Sequence, residues 1–366
     1  MQSFIYESLP YRVIFGADHR VQVVDELTRL AHTRALVLST PGQQQKAADL
    51  HEHLGHMSVA TFTGAAMHTP LNVTEQAVAV VARFEADCVV SLGGGSTVGL
   101  GKAIAARTGL DQIVLPTTYA GSEVTPILGE TVDNEKTTRR SLDVLPESVI
   151  YDVDLTLTLP VPRAVTSGFN SMAHAVEAMW AKDRNPIIAL MACEAISAFI
   201  DSLPEIVAKP TDREARSTAQ YASWLAGTCL ASVGMALHHK LCHVLGGTFD
   251  LPHAETHTVV LPYVVAYNAA SAPHVVAELE RTLGGPPAPT LKKFQKRLGA
   301  PGSLAELGLP EEGIATVVDR CMRSPYWNPR PVDEPSLTAL VCDAWAGAVP
   351  DDRGYDRALE TTQGEA

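Results

Sequence analysis

Five of the 13 histidines fall between residues 238 and 257: His238, His239, His243, His253 and His257. His239 and His243 are four residues apart and share a helix face. Asn170 and His174 repeat that spacing upstream, and His253 lies ten residues past His243, beyond Gly246-Gly247, which reads as a helix stop. Grouped imidazoles can hold an anion, carry a proton or ligate a metal. An HxxxH pair alone equally describes two histidines satisfied by their neighbours, and the local density is what favours a focused polar site. A metal site would lack one part: no carboxylate stands with the histidines at helical spacing. Glu177 and Glu255 are near in sequence only.

A second constellation is Gly93-Gly94-Gly95-Ser96, directly after the apolar run Cys88 to Leu92 and before a helical stretch. Glycines let the backbone turn sharply and approach a ligand, and N–H groups at a helix start cradle phosphate oxygens. Lys102, further along that helix, could add a cation. The alternative is a plain strand-to-helix turn, and the loop is neither GxGxxG nor a Walker sequence. Pro116-Thr117-Thr118-Tyr119-Ala120-Gly121-Ser122-Glu123 follows another strand end. Thr117, Thr118 and Ser122 would place hydroxyls at the carboxyl edge of a parallel sheet, where nucleotides bind.

The elements that must position these groups alternate in the first 150 residues. Strands are expected at 12–15, 35–39, 59–62, 88–92, 113–115 and 149–151, several of them continuous apolar runs suited to parallel strands covered on both faces. Helical spacing fills 73–85 and 97–107, the pattern of an open α/β sheet. The Thr-rich segment 129–140, with Lys136, reads as an antiparallel excursion. Pro160-Val161-Pro162 marks a break into helices. Among these, Asn185-Pro186 reads as a cap and first-turn proline, and Ile187 to Ile200 as a buried helix. Further breaks are expected at 284–289 and 328–331. The expected division is an α/β dinucleotide-binding domain over 1–158 and an all-helical substrate domain over 159–366.

The 366 residues suit two domains at roughly 150 residues each. A formal charge of -13, with basic clusters no longer than Arg139-Arg140 and Lys292-Lys293, argues against nucleic acid and anionic membranes as partners. No run approaches the roughly 18 uninterrupted apolar residues of a membrane span. The start, Met1-Gln2-Ser3-Phe4, lacks the features of a signal peptide. Six cysteines (88, 193, 229, 242, 321, 342) without a CxxC pair read as reduced thiols of a cytoplasmic enzyme.

Taken in order, Gly93-Gly94-Gly95-Ser96, Pro116-Thr117-Thr118, Asn170-xxx-His174, His239-xxx-His243 and Pro252-His253 resemble the iron-containing alcohol dehydrogenase family over nearly the whole chain. The resemblance implies the dehydroquinate synthase-like fold, with NADH or NADPH in a cleft between an α/β and a helical domain, and a homodimer. It implies that Gly93, Gly94, Gly95, Ser96, Lys102, Thr117, Thr118 and Ser122 serve the cofactor. The family's metal, usually held by one Asp and three His, would fall on Asn170, His174, His239 and His253. His243 would be the non-ligand histidine near the nicotinamide.

Three departures point to one branch, the maleylacetate reductases. Asn170 stands in the aspartate position, Gly99 replaces an aspartate of the glycine loop, and Tyr119-Ala120-Gly121-Ser122 replaces the commoner form. Losing the one anionic ligand weakens a divalent site, so no metal is expected. The branch implies NAD(P)H-dependent reduction of the C=C bond of maleylacetate to 3-oxoadipate in aromatic degradation, with possible acceptance of 2-chloromaleylacetate. Asn170, His174, His239, His243 and His253 would form the donor cluster for a small dicarboxylate enone, with His243 as general acid. Neighbouring Cys242 would confer sensitivity to thiol reagents or serve as a small buried residue. Rival readings are a metal-dependent alcohol dehydrogenase, a non-catalytic nucleotide sensor and a sugar-phosphate cyclase relative. The end of the second strand (Ser39-Thr40-Pro41) offers no acidic group to choose between NADH and NADPH. Tyr326 and Trp327 could cover a cleft or simply pack.

Overall fold

The computed structural model describes residues 3–132, 135–323, 326–351 and 355. In chain order the α/β part runs β1 (Arg12–Gly16), α1 (Val23–Arg29), β2 (Ala35–Leu38), α2 (Gln44–Leu54), β3 (Ser58–Phe62), α3 (Leu71–Phe84), β4 (Cys88–Gly93), α4 (Gly95–Thr108) and β5 (Asp111–Pro116). An antiparallel hairpin of β6 (Ile127–Val132) and β7 (Glu135–Arg140) follows, then β8 (Ser148–Asp152). The helical part is α5 (Val161–Met179), α6 (Pro186–Ala208), α7 (Arg213–Ser232), α8 (Leu237–Phe249) and α9 (His253–Asn268), then α10 (Pro273–Leu283), α11 (Pro287–Arg297), α12 (Gly313–Arg323) and α13 (Glu334–Ala346). The α/β and helical fold classes read from the sequence are both present.

The main sheet has the order β1-β8-β5-β4-β2-β3, and every pair is parallel. Its continuous apolar strands are buried on both sides because successive side chains point to opposite faces. Ala35 and Val37 join a core with Val90, Ile113 and Ile150, while Leu36 and Leu38 join another with Val89, Leu100 and Ile104. β2 leads outward to β3, whereas neighbouring β4 leads the other way to β5. That reversal opens a crevice at the carboxyl ends of β2 and β4, where ligands of such sheets bind.

The chain divides into two compact units: Ser8–Pro160 with Pro210–Gln220, and Met1–Glu7 with Val161–Lys209 and Tyr221–Ala366. The return of 210–220 to the α/β unit was not legible in the sequence. Arg216 explains it: the buried guanidinium donates to the carbonyls of Thr156, Leu159 and Pro210 at 2.6, 2.9 and 2.8 Å.

Two local expectations need correction. Gly246 and Gly247 do not stop a helix. α8 runs through them to Asp250, which adopts φ 53° and donates its N–H to the Gly246 carbonyl. A left-handed Asp ends a helix as glycine would, because its short side chain tolerates that backbone. The expected breaks fall at Pro160 and at residues 284–286, between α10 and α11. Val161-Pro162 and Pro287-Ala288-Pro289 form the first turns of α5 and α11, where a proline loses no helical hydrogen bond. α6 is long and apolar enough to cross a membrane by composition, although charged residues interrupt its sequence. Ile188, Ala192, Ile196, Phe199 and Leu203 on it are buried but Ile187 and Leu190 are exposed, so the helix is buried on one side rather than all round. Asn185 caps it as expected, accepting from the Ile187 and Ile188 N–H groups at 3.1 Å.

Candidate active site

In the α/β unit, the loop after β4 is shaped by what cannot fit beside it. A Cβ on Gly93 would lie 2.2 Å from Thr97 Oγ1, and one on Gly94 would lie 2.8 Å from Thr118 Cγ2. Glycine is therefore required for the loop to pass under the Pro116–Ser122 segment. A Cβ on Gly95 would meet nothing within 4 Å, so the start of α4 opens onto free space. No side chain caps that helix end. Thr97 Oγ1 and Ser122 Oγ are buried without hydrogen-bond partners, as expected of groups that await a ligand. The Gln43 amide donates to Thr117 Oγ1 at 2.8 Å and ties the end of β2 to the loop after β5. These groups suit a dinucleotide phosphate, with Gly95, Ser96, Thr118 and Ser122 on the partly open side.

Lys102 takes no place on that side. Its fully buried Nζ donates to the carbonyls of Ser122, Thr125 and Ile127 and to Thr125 Oγ1 at 2.6 to 3.0 Å. Burial lowers its pKa to about 7, opposed by the charge of Glu123. The ammonium fixes the Ser122 loop and is not free to meet a phosphate. Gly99 also has a packing reason: a Cβ there would lie 2.4 Å from Thr69 Oγ1. Thr69 and His68 sit at φ 48° and 62°, a strained pair for residues with side chains. Sequence reasoning missed this loop, since strain in αL leaves no composition signal. The Lys136 side chain lies outside the described residues.

In the helical unit, α5, α8 and α9 bring Asn170 and His174, His239 and His243, and His253 and His257 into one cluster. The His174 and His239 rings stack at 5.1 Å between centroids, and His239 meets His243 edge-on at 6.2 Å. His243 stacks on His253 at 6.5 Å, and His253 meets His257 at 4.4 Å. His243 is exposed, His253 half-buried, and Asn170, His174, His239 and His257 are buried. Asn170 Oδ1, His174 Nδ1, His239 Nε2 and His257 Nε2 have no hydrogen-bond partner. Four unpaired buried polar atoms in one place are costly unless something else completes them.

The carboxylate absent from the sequence pattern is Glu177. Its Oε2 lies 2.7 Å from His239 Nδ1 and accepts from the N–H groups of Ala236 and His239, while Oε1 accepts from that of His238. One carboxylate on α5 thus caps the start of α8 and orients His239. Burial opposes its ionisation, but the hydrogen bond and charge of His239, the charge of His238 and the Ala236 N–H together hold its pKa down at about 2. Its spacing was the available signal, because Asn170, His174 and Glu177 fall on one face at i, i+4 and i+7. Glu255 lies in the first turn of α9. Tyr326 lies with its ring 5.7 Å from Lys240 Nζ, and Trp327 is 38% exposed.

The positions that the family uses for its metal carry no anionic ligand here. Asn170, His174, His239 and His253 supply only neutral donors, and both Glu177 oxygens are committed to N–H groups. His238, Cys242 and His257 bring three possible ligand atoms within 4.8 Å of one another. Two of these atoms already bond each other, His238 Nε2 and His257 Nδ1 at 2.9 Å.

Comparison with known proteins identifies the family. The family description "Iron-containing alcohol dehydrogenase" matches residues 10–153, and "Fe-containing alcohol dehydrogenase family, C-terminal" matches residues 164–345. The maleylacetate reductase of Rhizobium sp. strain MTP-10005 is 53% identical over 351 residues, 96% of this chain and 100% of its own. That of Sphingobium indicum is 51% identical, covering 95% and 99%. The crystal structure of maleylacetate reductase from Agrobacterium tumefaciens superimposes with a TM-score of 0.93 at 52% identity, covering 96% and 100%. The chain belongs to the iron-containing alcohol dehydrogenase family, in the branch of its maleylacetate reductase relatives.

Proposed function

We propose that this protein is an NAD(P)H-dependent reductase of the C=C bond of maleylacetate, giving 3-oxoadipate, and that it works without a metal. The observation that carries the reading is the cluster itself: three helices deliver one amide and a group of imidazoles with unpaired buried polar atoms. In place of an anionic metal ligand stands neutral Asn170, which removes the repulsion an Asp would exert on a dicarboxylate. Residues 1–158 would hold the dinucleotide, through Gly93–Ser96, Thr117, Thr118 and Ser122. Residues 159–366 would hold the substrate.

Bound NADH or NADPH would supply a hydride for the alkene carbon distant from the ketone. The alkene electrons then move onto the ketone oxygen as an enolate. The residues of this chain stabilise that charge and complete the addition. Asn170, His174, His239 and His253 surround the developing oxyanion and the carboxylates, in a setting where preorganised donors act strongly. Glu177 holds a proton on His239 Nδ1 and supports positive charge on that ring when an anion binds. His243 is exposed, so it can deliver a proton to the carbon next to the ketone and recover one from water.

NADH or NADPH oxidation followed with maleylacetate tests the reading, and absence of turnover despite cofactor binding would leave a nucleotide-binding sensor. His243→Ala is expected to lower kcat by about 10²- to 10⁴-fold with little change in NADH affinity. The reverse would remove His243 from the chemical step. The same reading makes the protein a cytoplasmic homodimer, and light scattering after size-exclusion chromatography checks the dimer.

A further inference from the structure

His257 is outside the set of histidines so far given a role, yet it is fully buried among them. Its ring centroid lies 4.4 Å from that of His253, 5.0 Å from His239 and 6.3 Å from His174. Its Nδ1 is 2.9 Å from His238 Nε2, and Cys242 Sγ lies 3.6 Å from the same His238 nitrogen. The two nitrogens of an imidazole face nearly opposite sides of the ring, so Nε2 of His257 faces away from His238. It has no partner, and neither has His238 Nδ1.

One proton sits between the two rings, and its position decides what His257 presents. If His238 donates, His257 carries its own proton on Nε2 as an N–H donor. If His257 donates, its Nε2 is a bare lone pair and the unpaired N–H falls on His238 Nδ1. Either way one buried N–H is left without an acceptor, a costly omission until something accepts from it. The favoured arrangement puts the unpaired N–H on the atom beside the cluster, where an anion would complete it.

We infer that His257 Nε2–H is an additional substrate-binding donor, and that His238 is a positioning residue that fixes His257 in this tautomer. His239 shows the opposite pattern, because Glu177 takes its Nδ1 proton and leaves Nε2 without one in the neutral ring. His257 therefore donates without needing a charge. His253 neighbours both His243 and His257, which places His257 at the buried end, away from the proposed proton delivery. Its partner is the carboxylate of the enone remote from the protonated carbon. This inference rests on the maleylacetate reading above.

The test has one arm with substrate and one without. In wild type, long-range ¹H–¹⁵N correlation on protein labelled with ¹⁵N-histidine should show His257 protonated on Nε2, assigned by its loss in His257→Gln. His238→Phe should abolish that single tautomer. In steady-state assays with NADH, His257→Leu and His238→Phe should raise the maleylacetate KM about tenfold to hundredfold with kcat changed far less. His257→Gln, which keeps an N–H near Nε2, should recover most of that loss. A proton on Nδ1 of His257, or an unchanged KM in His257→Leu, overturns the inference while leaving the function intact. A wild type that binds NADH but does not turn over maleylacetate overturns the reading of function itself.

Discussion

At the glycine loop the groups offered to a ligand are backbone and hydroxyl, set at the ends of adjacent strands β4 and β5 and kept apart by glycines. At the histidine cluster they are side chains from α5, α8 and α9, drawn from residues as far apart as 170 and 257. The first arrangement tolerates almost nothing at Gly93 and Gly94, where a single Cβ would collide. The second depends on one carboxylate, Glu177, that touches the starts of α8 and of His239 together. Backbone sites are specified by what is missing from the sequence, and side-chain sites by who holds the side chains.

The largest effect that would break this contrast is at Glu177. Glu177→Ala leaves the N–H groups of Ala236, His238 and His239 and the His239 ring without their acceptor. Removing one partner of such a buried pair costs about 3 to 5 kcal/mol, so denaturant unfolding should show a loss of that size and turnover should collapse. A loss under about 1 kcal/mol would mean that α8 is held by other contacts.

Next is acid. His174, His238 and His257 have folded pKa values lowered mainly by burial, so they stay neutral in the fold while the unfolded chain takes up protons below about 6.5. The unfolded state then binds more protons, and stability falls as pH falls below 6.5 towards about 3, the value for His238. Glu177 acts in the same direction, its contribution being lost between about 4.5 and about 2. Unfolding at pH 5 should take up about three protons from these histidines. In the α/β unit the buried Lys102, lowered to about 7, exerts most of its effect above that value, so a pH-independent stability from 7 to 5 would contradict the assignment.

Smaller and more selective effects separate Gly94 from Gly95. Gly94→Ala should cost about 1 to 3 kcal/mol in stability, because Thr118 must move. Gly95→Ala should leave stability within about 0.5 kcal/mol, since the added carbon meets nothing in the protein. It should still weaken NADH binding about tenfold, the mark of a ligand in the open space. Equal NADH affinity in Gly95→Ala would move the phosphate elsewhere.

Much of this was legible in the residues. The strands at 35–39 and 88–92 were readable from unbroken apolar runs, and the Asn170/His174 and His239/His243 pairs from four-residue spacing. Lys102 was misread because sequence places it near the loop but not which way its ammonium turns. Four carbonyl and hydroxyl oxygens of residues 122–127 decide that. Glu177 shares a helix face with Asn170 and His174, but its partners lie 59 to 62 positions away, a distance no helical period reports. Asp250, rather than the glycine pair before it, ends α8 because αL can be held by an Asp in the right local frame.

The central claim is that neutral and hydrogen-bonding groups do here what a metal does elsewhere in the family. Its most direct measurement is NADH oxidation with maleylacetate by protein treated with a strong chelator, with metal content measured on the same sample. Unchanged kcat and KM are expected at far less than one metal ion per chain. Activity lost with the metal and restored by stoichiometric iron or zinc would contradict it.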